Sequence, residues 1–100
     1  MADHVDEEFE WDLNKSEEIY ARRGFDFRLV AKMLAGGTYI YVRLDDRLYG
    51  EERVIATGRA RGLFITTVYT VRGRRKRIIT AWKSTRTEID EYAREMGYLS

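Results

Sequence analysis

Two β-branched stretches each carry a pair of cations six positions apart: Arg53 and Arg59 in ERVIATGR, and Arg77 and Lys83 in RKRIITAWK. In an extended strand, residues of like parity share a face. Arg53, Ile55, Thr57 and Arg59 therefore line one side of the first stretch, and Arg77, Ile79, Ala81 and Lys83 one side of the second. Where those faces coincide, four cations make a patch about 20 Å long at roughly 3.3 Å per residue. A patch of that length spans several phosphates of a single strand. Tyr69 or Trp82, depending on register, offers a ring on which a base can stack.

Other chemistry is sparse. His4 is the only histidine and lies in an acidic end expected to be unstructured, residues 1–8. That excludes a histidine acid–base pair, a Ser/His/Asp arrangement and histidine–carboxylate zinc spacing. Asp45-Asp46 and Glu51-Glu52 are carboxylate doublets, but neighbours on a strand point to opposite faces, so neither is a ready-made metal site. Gly36-Gly37 is too short for a phosphate loop. No metal and no cofactor is expected. Spacing alone supports polyanion binding strongly and catalysis weakly.

The formal net charge of +1 hides a segregation. Residues 1–20 hold eight acids against Lys15, a net of −7, whereas residues 47–86 hold eleven Arg and Lys against two acids, a net of +9. Such asymmetry fits a polyanion-binding face and an acidic end that shields it. The chain of 100 residues has 44% hydrophobic and 13% aromatic content and no cysteine. These values predict a single folded domain over residues 1–100 in a reducing cytoplasm, without a membrane span or secretory signal.

The elements that must position the cations follow from periodicity. Asn14 with Glu17 reads as a capping box opening a helix that Gly24 ends. Asp26 caps a second helix whose Phe27, Val30, Ala31 and Leu34 form one stripe, stopped at Gly36-Gly37. TYIYVRL alternates, with Ile40, Val42 and Leu44 on one side and Tyr39, Tyr41 and Arg43 on the other. ERVIATGR, LFITTVYTV and KRIITAWK are strands joined by tight turns. Thr85 and Glu88 form a capping box for a last helix with Ile89, Tyr92, Ala93 and Met96 on one face, ended by Gly97. The predicted class is α+β: two N-terminal helices, a four-stranded antiparallel meander and a C-terminal helix, in the order ααββββα.

FEWDLNKSEEIYARRGFDF (Phe9–Phe27), YGEERVIATGR (Tyr49–Arg59) and RIITAWKSTRTEIDEY (Arg77–Tyr92), in that order, resemble the BrnT family of toxins. The resemblance covers roughly three quarters of the chain. It implies a RelE-like fold and an RNA endonuclease that cleaves without metal and inhibits translation. It also implies neutralisation by a BrnA-like antitoxin, through which alone the pair contacts operator DNA. Carried over by position, Arg53 and Arg77 are the leading catalytic residues and Thr80 also matches, while Lys83 is the expected catalytic substitute for the Arg that the family usually has at the Trp82 position. Arg59, Arg86, Tyr69 and Trp82 are the expected RNA-binding set. The family usually has Lys-His-Gly where this chain has Arg22-Arg23-Gly24, and Arg where it has Trp82. The alternative is a catalytically weak RNA- or antitoxin-binding module acting mainly in autoregulation.

Overall fold

A computed structural model describes residues 2–36, 40–45 and 50–97. Gly37, Thr38, Tyr39, Asp46, Arg47, Leu48 and Tyr49 lie outside the described residues. The expected helix stop at Gly37, the outward Tyr39 and the Asp46 half of its doublet fall there.

The chain begins with two strands, β1 (Asp3–Val5) and β2 (Phe9–Asp12), before the helices α1 (Leu13–Arg23) and α2 (Phe27–Ala35). Strands β3 (Tyr41–Asp45), β4 (Arg53–Ala60), β5 (Leu63–Arg72) and β6 (Arg75–Lys83) follow, then α3 (Arg86–Glu95). The six strands form one sheet in the order β1-β2-β6-β5-β4-β3. The expected four-stranded antiparallel meander behind two N-terminal helices is thus corrected to a six-stranded mixed sheet. Strands β3 to β6 run as an antiparallel meander, but β2 pairs parallel with β6 and carries β1 on its other side.

The physical reason is visible in β2. Phe9 and Trp11 are buried and alternate with half-buried Glu10 and Asp12, a two-residue period set within an acidic composition. Its partners Lys76, Arg77 and Ile78 lie far along the chain. The acidic end expected to be unstructured instead supplies β1, which pairs antiparallel with β2. His4 stacks on Trp11 with ring centroids 4.0 Å apart and contacts Asp6 at 2.8 Å.

Helix α1 starts two residues earlier than the Asn14 capping box predicts. Asp12 is its N-cap, accepting from the backbone N–H groups of Asn14 and Lys15. Gly24 ends it at φ 82°, the left-handed cap position that glycine adopts without a Cβ penalty. Asp26 caps α2 as expected, and Phe27, Val30, Ala31 and Met33 are buried, Leu34 only partly. The Thr85–Glu88 capping box on α3 is complete.

Both early helices cover one face of the sheet. Phe9, Trp11, Ile65, Ile78 and Ala81 meet Ile19, Phe25, Phe27, Val30 and Met33 there. Gly58 permits the close approach of α2 to β4, because a Cβ at that position would sit 3.0 Å from Ile40 Cδ1 and 3.1 Å from Met33 Sδ. Farther out, Val42 and Leu44 of β3 are 50% and 63% exposed, more than the polar side chains they alternate with. On the opposite face, α3 lies against β4 and sets Tyr92 edge-on to Phe64. The part of that face beyond α3 holds an open cleft.

Candidate active site

Register determines which cations meet. Asp45 pairs with Arg53, Val54 with Tyr69, Tyr69 with Ile78, and Thr70 with Arg77. Across the open face the row therefore runs Asp45, Arg53, Thr70, Arg77 and Glu10, the last through the parallel β2–β6 pair. Arg53 and Arg77 are separated by two interstrand steps, about 10 Å between Cα atoms. Two arginine side chains at that spacing reach a common anion.

A β-bulge makes this possible. Val68 pairs with Thr80 and Tyr69 with Ile78, so Ile79 is an extra residue on β6. Ile78 and Ala81 are consequently both buried although they are three apart. Strict alternation puts Arg77 with Ile79, Ala81 and Lys83; the bulge transfers it to the face of Thr80 and Trp82. The single patch of four cations expected from parity is therefore not formed. Lys83 is exposed on the helix-covered side, paired with Ile65.

Asp12, Lys15, Glu51, Arg53, Arg72, Arg77, Ile78 and Ile79 line an open cleft of about 360 Å³. Arg77 donates from Nη1 to Asp3 Oδ2 at 3.1 Å and from Nη2 to Asp3 Oδ1 at 3.4 Å, a two-pronged contact. Glu10 Oε2 lies 3.8 Å from its Nη1. The Asp3 hydrogen bonds raise the Arg77 pKa above the ordinary guanidinium value, with smaller contributions from the Asp3, Glu10 and Asp12 charges. Arg77 is thus a permanent cation that can clamp charge but cannot relay a proton. Glu51 spans Arg53 at 3.8 Å and Arg72 at 3.5 Å. Among the described residues no group of three or more His, Cys, Asp or Glu is arranged to hold a metal ion.

The remaining expected residues are placed as follows. Thr80 shares the face of Arg77 beyond the bulge, and its carbonyl accepts from Thr67 Oγ1 at 2.8 Å. Arg59 lies at the far end of β4 over the Phe64 ring, 4.9 Å from its centroid. Arg86 is almost fully exposed at the start of α3 and pairs with Asp90 at 3.4 Å. Tyr69 is 7% exposed on the helix-covered side, and burial pushes its phenol pKa up, opposite to the fall that a cationic neighbourhood would cause.

Trp82 is committed elsewhere. Its Nε1–H donates to both carboxylate oxygens of Glu88, at 3.0 and 3.3 Å, while Glu88 also accepts from the Thr85 backbone N–H at 2.7 Å. The indole therefore joins β6 to the α3 cap. Beside it runs a buried hydroxyl chain in which Thr66 Oγ1 bonds Thr57 Oγ1 at 2.9 Å and Ser84 Oγ at 2.8 Å, with Arg43 donating to Thr57 at 3.2 Å.

Lys15, Glu51 and Arg72 line the cleft, and Asp3 and Glu10 reach its Arg77, without having been expected there. Arg72 ends β5, where the chain turns tightly into β6. Asp3 and Glu10 arrive through the β1–β2–β6 pairing, which no local pattern announces, and Lys15 from the first turn of α1.

No helix in the described residues is long and apolar enough to cross a membrane. No curated protein matches the chain. A family profile described as ribonuclease toxin, BrnT, of type II toxin–antitoxin system matches residues 11–88, well over half of the chain and inclusive of β4, β6 and the last two residues of β2. With the Arg53–Arg77 cleft lying inside that span, the match agrees with the resemblance read from the sequence, and the chain belongs to the BrnT family of type II ribonuclease toxins.

Proposed function

We propose that the chain is a metal-independent RNA endonuclease of the cytoplasm that inhibits translation. In this reading Arg53 and Arg77 clamp the scissile phosphate. The convergence of those two arginines on one cleft, across Thr70, carries the proposal. RNA brings its own nucleophile. Its 2′-hydroxyl oxygen attacks phosphorus, the bond from phosphorus to the 5′-oxygen breaks, and the departing oxygen takes a proton as the 2′-hydroxyl loses one. A cyclic 2′,3′-phosphate and a 5′-hydroxyl result. Charge builds on the non-bridging oxygens, where two fixed guanidinium groups stabilise it more than in the ground state. Holding the phosphate in line supplies the orientation term. Thr80 lies next to the clamp on the same face and is its nearest expected hydroxyl. Lys83, on the other face, takes no part.

In this reading a BrnA-like DNA-binding antitoxin neutralises the toxin, and operator DNA is contacted only through it. The second reading, a module that binds RNA without cutting it, draws on one observation: the Arg77 guanidinium is already engaged by two carboxylates. Incubating the purified chain with RNA in EDTA separates the two. Cleavage that Arg77→Ala suppresses supports the nuclease. Salt-sensitive binding with no product supports the module.

A further inference from the structure

We infer that β1 is a built-in phosphate mimic: the Asp3 carboxylate occupies the position on Arg77 that an RNA phosphate must take, so the toxin's own N-terminal strand attenuates its cleft. The inference rests on the reading of Arg77 as a phosphate clamp and adds its regulation.

A carboxylate and a phosphate offer a guanidinium the same paired oxygens, and the Asp3 contact has that two-pronged form. The two acids on Arg77 differ in how they are held. Glu10 is the register partner of Arg77 and comes from β2, which is flanked by β1 on one side and β6 on the other. It stays in place whatever β1 does. Asp3 comes from a three-residue strand at the sheet edge whose strand partner among the described residues is β2. Beyond that ladder β1 is held by the His4 stack on Trp11, the His4–Asp6 contact and a Leu13 N–H bond to the Ala2 carbonyl at 3.1 Å. Short edge elements with few buried contacts open at the low end of local unfolding free energies. A fixed acid thus orients the arginine, and a removable one covers it. RNA entering the cleft exchanges its phosphate for Asp3 while Arg53 and Arg72 hold neighbouring charge.

The test compares the full chain with Asp3→Asn, Arg77→Ala and the double variant, by anisotropy of fluorescein-labelled polyuridylate at one fixed salt concentration. Asp3→Asn keeps the side-chain size, and its fold is checked by thermal melting. It is expected to tighten binding about two- to five-fold, the span of an exposed ion pair, and Arg77→Ala is expected to abolish that gain. Phenylglyoxal labelling of Arg77 without RNA, read by peptide mass mapping, gives an independent measure and is expected to be faster in Asp3→Asn. Equal affinity and equal labelling for Asp3→Asn and the parent, with Arg77→Ala weakened in both backgrounds, overturns the mimic and leaves the clamp intact. Unweakened binding by Arg77→Ala overturns the clamp and the mimic together.

Discussion

Replacing Arg77 by alanine tests the clamp where the geometry is most explicit. The side chain is 20% exposed and is held against Asp3 and Glu10 in the cleft it shares with Arg53. Because its pKa is raised, it is charged at every usable pH, and its loss removes electrostatic stabilisation rather than a proton carrier. Deleting one preorganised donor to a transition-state oxyanion costs about 10²–10³ in rate. The effect on folding is far smaller: partly exposed ion pairs are worth about 0.2–1 kcal/mol each, against roughly 5–15 kcal/mol for a domain. Arg77→Ala is therefore expected to melt within a few degrees of the parent while single-turnover cleavage in EDTA falls about a hundredfold or more. The salt slope of binding is expected to shrink by about 0.7, the share of one single-strand phosphate contact. Arg77→Lys restores the charge but not the two-pronged geometry, so binding recovers more than rate. Cleavage by a folded Arg77→Ala at the parental rate, with an unchanged salt slope, refutes the clamp.

Lys83→Ala is expected to leave cleavage at the parental level and stability within about 0.5 kcal/mol, since Lys83 is exposed on the other face. A hundredfold loss in the same assay would contradict the register. Trp82→Phe removes the indole bond to Glu88 and is expected to cost about 1 kcal/mol and lower the melting temperature by about 4–8 °C, with cleavage retained below the melt. For Asp6, the His4 hydrogen bond, then the Phe9 and Glu8 backbone N–H groups, lower the carboxyl pKa from 3.8 to about 2. A depressed carboxylate stabilises the fold above its ordinary value and ceases to as pH falls through the folded one. The β1–β2 turn is therefore expected to hold at pH 4 and loosen towards pH 2 by NMR, and Asp6→Asn should abolish that step.

Local signals carried much of the fold. Asp26 and the Thr85–Glu88 box appear as caps because capping is decided within four residues. The strands at ERVIATGR, LFITTVYTV and KRIITAWK follow from β-branched content and short turns, and Arg53 sits on the face that parity assigned relative to Thr57. Two features were not legible. Strand β2 is four residues in an acidic run, and its order comes from a parallel partner distant in sequence. The Ile79 bulge is set by how β5 and β6 pack together, and nothing in RIITAW marks which isoleucine is extra. That one residue decides whether Arg77 shares a face with Thr80 or with Lys83, so parity found the arginine but misplaced its companions.

The charge segregation changes meaning once the strands are paired. In sequence it divides the chain into an acidic end and a basic body, which suggests a tail that acts from a distance. In the sheet the two are hydrogen-bonded neighbours: the Lys76 backbone N–H donates to the Glu8 carbonyl at 2.9 Å, Arg75 Nε to the Asp6 carbonyl at 2.6 Å, and Glu10 stands opposite Arg77. Backbone bonds fix the register, and the register brings acids to the cations most useful to a polyanion. At contact distance such pairs are screened far less by salt than a mobile tail would be, because the Debye length is about 8–10 Å at physiological to moderate ionic strength. Salt alone therefore weakens RNA binding without freeing Arg77. What frees it is a competing anion placed with two oxygens towards the guanidinium, and the backbone of a single RNA strand presents that group at every nucleotide.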